Sequence, residues 1–156
     1  MLHDCRLRIY SQAGDLTTVQ PFGGGNVEVC PFRRQEFLTD LIQSQAVFCN
    51  AGFNLIAEAF TLGKPCYLVP LPTYDQHWCA RTVGTRGFGV GEPTIDRRRV
   101  VAFLKRRARY ADRIEHELAE YLADDPLERV AEYIEGLVAG RREVSPRVRE
   151  AYRVGR

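Results

Sequence analysis

Along the chain, short runs of strand-like alternation give way repeatedly to helical spacing. "CRLRIY" (5–10) alternates as a strand does, "GDLTTVQPFGGG" (14–25) reads as a loop punctuated by Pro and Gly, and "NVEVCPF" (26–32) predicts a second strand. "RRQEFLTDLIQSQ" then sets Phe37, Leu38, Leu41 and Ile42 on one helical face. "AVFC" (46–49) predicts the third strand and "FNLIAEAFTLG" the next helix, with Gly63 as its stop before Pro65. "CYLVPL" (66–71) follows as a strand, "QHWCARTVGTR" (76–86) as a helix and "GFGVG" (87–91) as a last short strand.

Strands separated by helical segments predict parallel βαβ units, hence an α/β fold with a Rossmann-like open parallel sheet and helices on both faces. The rest reads as a helical C-terminal extension. "TIDRRRVVAFLKRRARYADRIEHELAEYL" places Val100, Leu104, Ala111, Ile114, Leu118 and Tyr121 along one face, with Asp96 as N-cap. "DDPLERVAEYIEGLVAG" follows with Asp125 as cap, Pro126 in the first turn and Gly140 at the end. The expected organisation is therefore a Rossmann-like domain over 1–95, C-terminal helices over 96–140 packed on it, and a basic tail over 141–156. A doubly wound sheet opens with an apolar strand running into a Gly-containing turn. "RLRIY" is followed by no such turn, so the sheet reads as beginning one strand late.

Composition narrows the class. At 45% hydrophobic and 27% charged residues the chain is a globular protein, and a net charge of +2 gives no argument for nucleic acid. The five cysteines fall in no CxxC pair or His/Cys cluster, so neither zinc nor any other metal is expected. Cys30, Cys49 and Cys66 lie in or at the ends of strand-like runs, as reduced thiols do in a cytoplasmic protein. No apolar run reaches membrane-spanning length. The basic stretch from Arg97 to Arg109, followed by an acidic one from Asp112 to Glu135, reads as a solvated helical face. Peripheral membrane contact through the basic part is the sharper alternative.

The candidate chemistry lies in "CNAGFN" (49–54), at the carboxyl end of a predicted strand. Gly52 lets a ligand approach the backbone and tolerates a turn. The first-turn N–H groups of the following helix have no internal partner and, with the helix dipole, can receive a phosphate. Asn50 and Asn54 can add side-chain donors, and Glu58 stands on the face of Asn54 one turn on. A carboxylate there suits two ribose hydroxyls, so a nucleoside diphosphate is the economical ligand. On this pattern alone the plainer reading is that Asn50 and Asn54 cap a helix and Glu58 faces solvent.

The longer stretch "NAGFNLIAEAFTLGKPCYLVPLPTYDQHWCA" changes that balance. It resembles the donor-binding signature of GT-B glycosyltransferases, similar to the MurG and UDP-glycosyltransferase group. Asn50, Gly52, Phe53, Asn54, Glu58, Gly63, Pro65, Pro70, Asp75 and Gln76 fill the family's places in order. The resemblance implies that Asn50, Ala51, Gly52, Phe53 and Asn54 line the diphosphate site and that Glu58 binds the ribose. It implies that Asp75 and Gln76 bind hydroxyls of the donor sugar. Three departures matter, the first being that the acidic–Gln pair of the plant enzymes comes one residue earlier than Asp75 and Gln76 do here. Leu55 stands where the plant enzymes have a phosphate-binding Ser, and Asn50 stands where they have His, so phosphate binding rests more on backbone donors and carries no imidazole charge. His77 is read as a helix-surface residue, and Arg33 and Arg34 as a solvated helix start.

The resemblance further implies that this chain is the C-terminal half of a GT-B fold, holding a nucleotide-diphosphate sugar, UDP-linked by expectation, and no cofactor. The acceptor site and the catalytic base, whose residue is unknown, are expected from an N-terminal half or a partner chain, as in two-subunit glycosyltransferases. A nucleotide-sugar-binding module without catalysis and an epimerase-like fragment of the same architecture stay open beside it.

Overall fold

The computed structural model describes residues 5–11, 18–22, 26–123 and 126–140. The chain divides into two compact units, Met1–His116 and Glu117–Arg156. In the first, β1 (Leu7–Ser11), β2 (Gln20–Phe22) and β3 (Val27–Pro31) precede α1 (Arg34–Gln43). Then β4 (Val47–Cys49), α2 (Phe53–Thr61), β5 (Cys66–Leu68), α3 (Tyr74–Arg86) and β6 (Gly89–Gly91) alternate. Helix α4 (Arg97–Ala123) begins in the first unit, and α5 (Pro126–Val138) belongs to the second. Asp125 and the tail 141–156, both assigned roles from sequence, lie outside the described residues.

The strands form an α/β architecture of parallel β-strands flanked by helices, paired as two three-stranded sheets. β4, β5 and β6 run parallel in that order, with Val47 opposite Cys66 and Leu68 opposite Gly91. α2 and α3 supply the crossovers that parallel neighbours require. β1 and β3 are also parallel, Leu7 opposite Val27, while β2 runs antiparallel on the outer side of β3. This β2 falls inside the stretch expected to be loop. Its Pro21 made it unreadable as a strand, yet an edge strand tolerates a residue that cannot donate to the ladder. Among the described residues the open parallel sheet expected from sequence is paired in two three-stranded parts. No strand among the described residues joins β1 to β4 by hydrogen bonds.

Aromatic packing fixes α4 to the second sheet. Tyr67 on β5, fully buried, stacks on Phe48 of β4 at 5.3 Å between ring centroids. Phe103 of α4, 1% exposed, meets both edge-on at 5.5 and 5.6 Å. Tyr67 keeps its hydroxyl satisfied by donating to the Thr94 carbonyl at 3.3 Å, as a buried tyrosine must. The sequence pattern chose Leu104 for this face, and the structure puts Phe103 at its centre. Asp96 does cap α4, its carboxylate accepting from the Arg99 N–H at 3.0 Å.

Two glycines decide local geometry. Gly63 adopts φ 66° just past α2, and its N–H and that of Lys64 bond back to Phe60 and Ala59, so the helix stops where the sequence put its stop. At Gly91 a Cβ would lie 2.3 Å from the Ala80 carbonyl oxygen, so β6 approaches α3 only because this position lacks a side chain.

Candidate functional site

β4 ends at Cys49, whose carbonyl accepts from the Val69 N–H and so ties the strand end to the residue after β5. The chain then leaves the sheet through Asn50, exposed, and Ala51, fully buried, and enters α2 at Phe53. Gly52 is the N-cap, with φ −75° and ψ 133°. Any residue adopts that conformation, so the turn itself does not require glycine, which corrects half of the sequence argument. A Cβ there would meet only the Asn50 Oδ1 at 3.5 Å, an ordinary contact. What remains is the close approach to the backbone that glycine permits.

No side chain caps α2, and its first turn carries no acidic residue. The plainer alternative, in which Asn50 and Asn54 cap the helix, is therefore not met. Asn54 sits inside the helix and is exposed. The N–H groups of Phe53, Asn54 and Leu55 have no place in the helix ladder and stand at the positive end of the dipole. α1 and α3 also start without a side-chain cap but carry Glu36 and Asp75 in their first turns, whereas α2 has neither cap nor acid. This one is left able to accept an anion.

Glu58 projects one turn further along α2, its side chain 34% exposed. Its Oε1 accepts from Arg34 Nη2 at 3.2 Å. Sequence reading left Arg34 to solvent. The pairing joins the first residue of α1 to α2 across residues far apart in the chain, and no local spacing signals it.

α3 begins at Tyr74, two residues before the sequence placed it, so Asp75 and Gln76 lie within its first turn. The Asp75 carboxylate is held below its ordinary range by the Thr73 hydroxyl, against an opposing effect of desolvation, and further by the N–H groups of Asp75 and Gln76. It is a charged acceptor. Gln76 Oε1 accepts from the Leu71 N–H at 2.9 Å. That bond fixes the side chain and leaves its amide N–H groups as the outward function. Asp75 can thus accept from a hydroxyl and Gln76 can donate to one. Tyr74 and Trp78, 86% and 53% exposed, stand beside them on the same helix.

Because β4 and β5 are parallel and each is followed directly by its helix, the starts of α2 and α3 lie at the same carboxyl edge of one sheet. Open α/β sheets hold ligands at that edge. Asn50–Asn54, Glu58, Asp75 and Gln76 thereby share one side of the molecule. A separate cavity of about 370 Å³, lined by Ser44, Gln45, Gly63, Lys64, Arg107, Ala108 and Ala111, lies at the opposite ends of β4 and α2.

Among the described residues no group of three His, Cys, Asp or Glu side chains could hold a metal ion, and no helix is long and apolar enough to cross a membrane. Cys30, Cys49, Cys66 and Cys79 are free thiols. Cys49 and Cys66 share a hydrogen bond that, with burial, pushes the Cys66 thiol well up, so it stays protonated.

The parallel strands, the two helix starts at one sheet edge and the matches below define a GT-B glycosyltransferase domain. Residues 2–107 match the family model described as glycosyl transferase family 1, and the chain belongs to that family. Among solved structures it is similar to the glycotransferase of kitacinnamycin, with a TM-score of 0.61 and 22% identity. The alignment covers 83% of this chain and 42% of that one, so the chain spans less than half the length of that relative. A search of curated proteins gave no match.

Proposed function

We propose that this chain is the donor-binding half of a glycosyltransferase and holds a nucleotide-diphosphate sugar, UDP-linked, at the carboxyl edge of β4 and β5. The observation that carries the reading is the uncapped start of α2, with no acidic residue in its first turn and a carboxylate one turn on. The diphosphate rests against the turn Asn50–Asn54, bonded by the backbone N–H groups of α2 and by the two asparagine side chains. Glu58 accepts from the ribose hydroxyls. Asp75 accepts from, and Gln76 donates to, hydroxyls of the sugar.

The chemistry that this arrangement serves is displacement at the anomeric carbon. As the glycosidic bond to the diphosphate lengthens, negative charge grows on the leaving phosphate. Donors already fixed at the helix start offset that charge without reorganising, which is the general source of electrostatic catalysis. The acceptor hydroxyl and the base that removes its proton come, on this reading, from an acceptor-binding domain or a partner subunit. The buried reduced thiols fit a cytoplasmic location.

Calorimetric titration of the chain with UDP, GDP and TDP tests the proposal, repeated with Glu58→Ala. UDP should bind best, and the substitution should weaken it by about 1–3 kcal/mol, the range for leaving hydrogen-bonding groups unpaired. A folded sample that binds no nucleotide would overturn the donor site. Unchanged affinity in Glu58→Ala would overturn the ribose role alone.

A further inference from the structure

Arg34 has a place that the donor reading does not use. It is the first residue of α1, just past the carboxyl end of β3, and its guanidinium reaches Glu58 Oε1 from another helix. Its side chain is 64% exposed and the carboxylate 34% exposed. An ion pair this open adds little to stability. Its geometry, by contrast, bears directly on what Glu58 can do.

An unheld glutamate carboxylate turns freely about its last torsion and carries a full negative charge. Beside a nucleoside diphosphate, itself strongly anionic, that charge opposes binding. A guanidinium on one oxygen changes both facts. It restrains the orientation of the carboxylate, leaves Oε2 as the free acceptor, and supplies a cation that offsets part of the local charge. Arginine suits this better than lysine, because its planar fork keeps its own orientation while donating.

We propose that Arg34 is a positioning residue for nucleoside recognition: it holds Glu58 so that the free carboxylate oxygen meets the ribose diol. The inference rests on the donor-site reading and adds to it the residue that sets ribose selectivity. Arg34 need not touch the ribose, and the phosphates remain the business of α2. Its loss should therefore erode discrimination between nucleotides with and without ribose hydroxyls more than it weakens nucleotide binding as such.

The test is titration of the full chain with UDP and with 2′,3′-dideoxy-UDP, for wild type, Arg34→Ala, Arg34→Gln, Arg34→Lys and Glu58→Ala. Wild type should prefer UDP by about tenfold, as a hydrogen bond to a charged group would give. In Arg34→Ala and Arg34→Gln that preference should fall to about twofold or less, with dideoxy-UDP affinity nearly unchanged, and Arg34→Lys should restore part of it. Arg34 is exposed, and Gln keeps a polar, helix-compatible side chain without the charge, so two variants guard against a folding artefact. A preference retained at the wild-type level in both, or UDP binding that tightens when Arg34 is removed, overturns the positioning role. If Glu58→Ala also leaves the preference intact, the ribose site itself has failed. If wild type binds neither nucleotide, the donor reading has failed before Arg34 is at issue.

Discussion

Removing the Phe103 ring tests the packing that holds α4 to the sheet carrying the site. Phe103 is 1% exposed and touches three other rings, Phe48 at 5.5 Å, Tyr67 at 5.6 Å and Tyr110 at 5.7 Å. Phe→Ala in such a core costs about 3–5 kcal/mol, the lost transfer energy plus the cavity left behind. Each lost ring pair is worth about 0.5–1.5 kcal/mol, which pushes the expected value to the upper end. Against a typical total of about 5–15 kcal/mol, Phe103→Ala should remove a large share of the stability. Urea unfolding measures it, and with slopes of about 1–3 kcal/mol per molar the midpoint should fall by roughly 2 M. Leu104→Ala is the internal control. Leu104 is only half-buried, so its truncation should cost well under half as much. If Leu104→Ala proves the costlier change, or Phe103→Ala costs less than about 1 kcal/mol, the placement of α4 is wrong.

Two further expectations concern stability. Gly91→Ala would force a Cβ to 2.3 Å from the Ala80 carbonyl oxygen and should destabilise by about 1–3 kcal/mol or more. Gly84→Ala, inside α3 with nothing nearer than 3.7 Å, should stabilise by up to about 1 kcal/mol, and thermal unfolding of the pair reads the opposite signs. The third concerns pH. Asp75 has a folded pKa below its ordinary 3.8, so its stabilising contribution is fully present above that value and is lost as pH falls through the lowered one. Acid unfolding of Asp75→Asn should therefore show a shallower loss of stability below about pH 4 than wild type, and identical acid profiles would show that the Thr73 hydroxyl does not favour the charged carboxylate.

Periodicity made the βαβ alternation legible, because each helix has an apolar face and each strand a short buried run. The stop at Gly63 and the cap at Asp96 were readable for the same reason: both are local chemistry. β2 was not readable, since Pro21 at a sheet edge imitates a loop. The pairing in two three-stranded parts was equally hidden, because strand pairing is a long-range property that no window contains. At the site, the spacing of Asn54 and Glu58 showed a shared helical face, and the gap to Asp75 and Gln76 needed the family resemblance. The structure supplied what spacing could not: an α2 start left uncapped, a Gln76 already committed to the Leu71 N–H, and Arg34 brought to Glu58.

The most direct test of the donor site is an amide NMR titration of the chain with UDP. The account predicts that the largest shift changes fall on Gly52, Phe53, Asn54 and Leu55 at the start of α2, with Glu58 next along the same helix. Changes centred instead on Ser44, Lys64 and Arg107, around the cavity at the far end of β4, would contradict it.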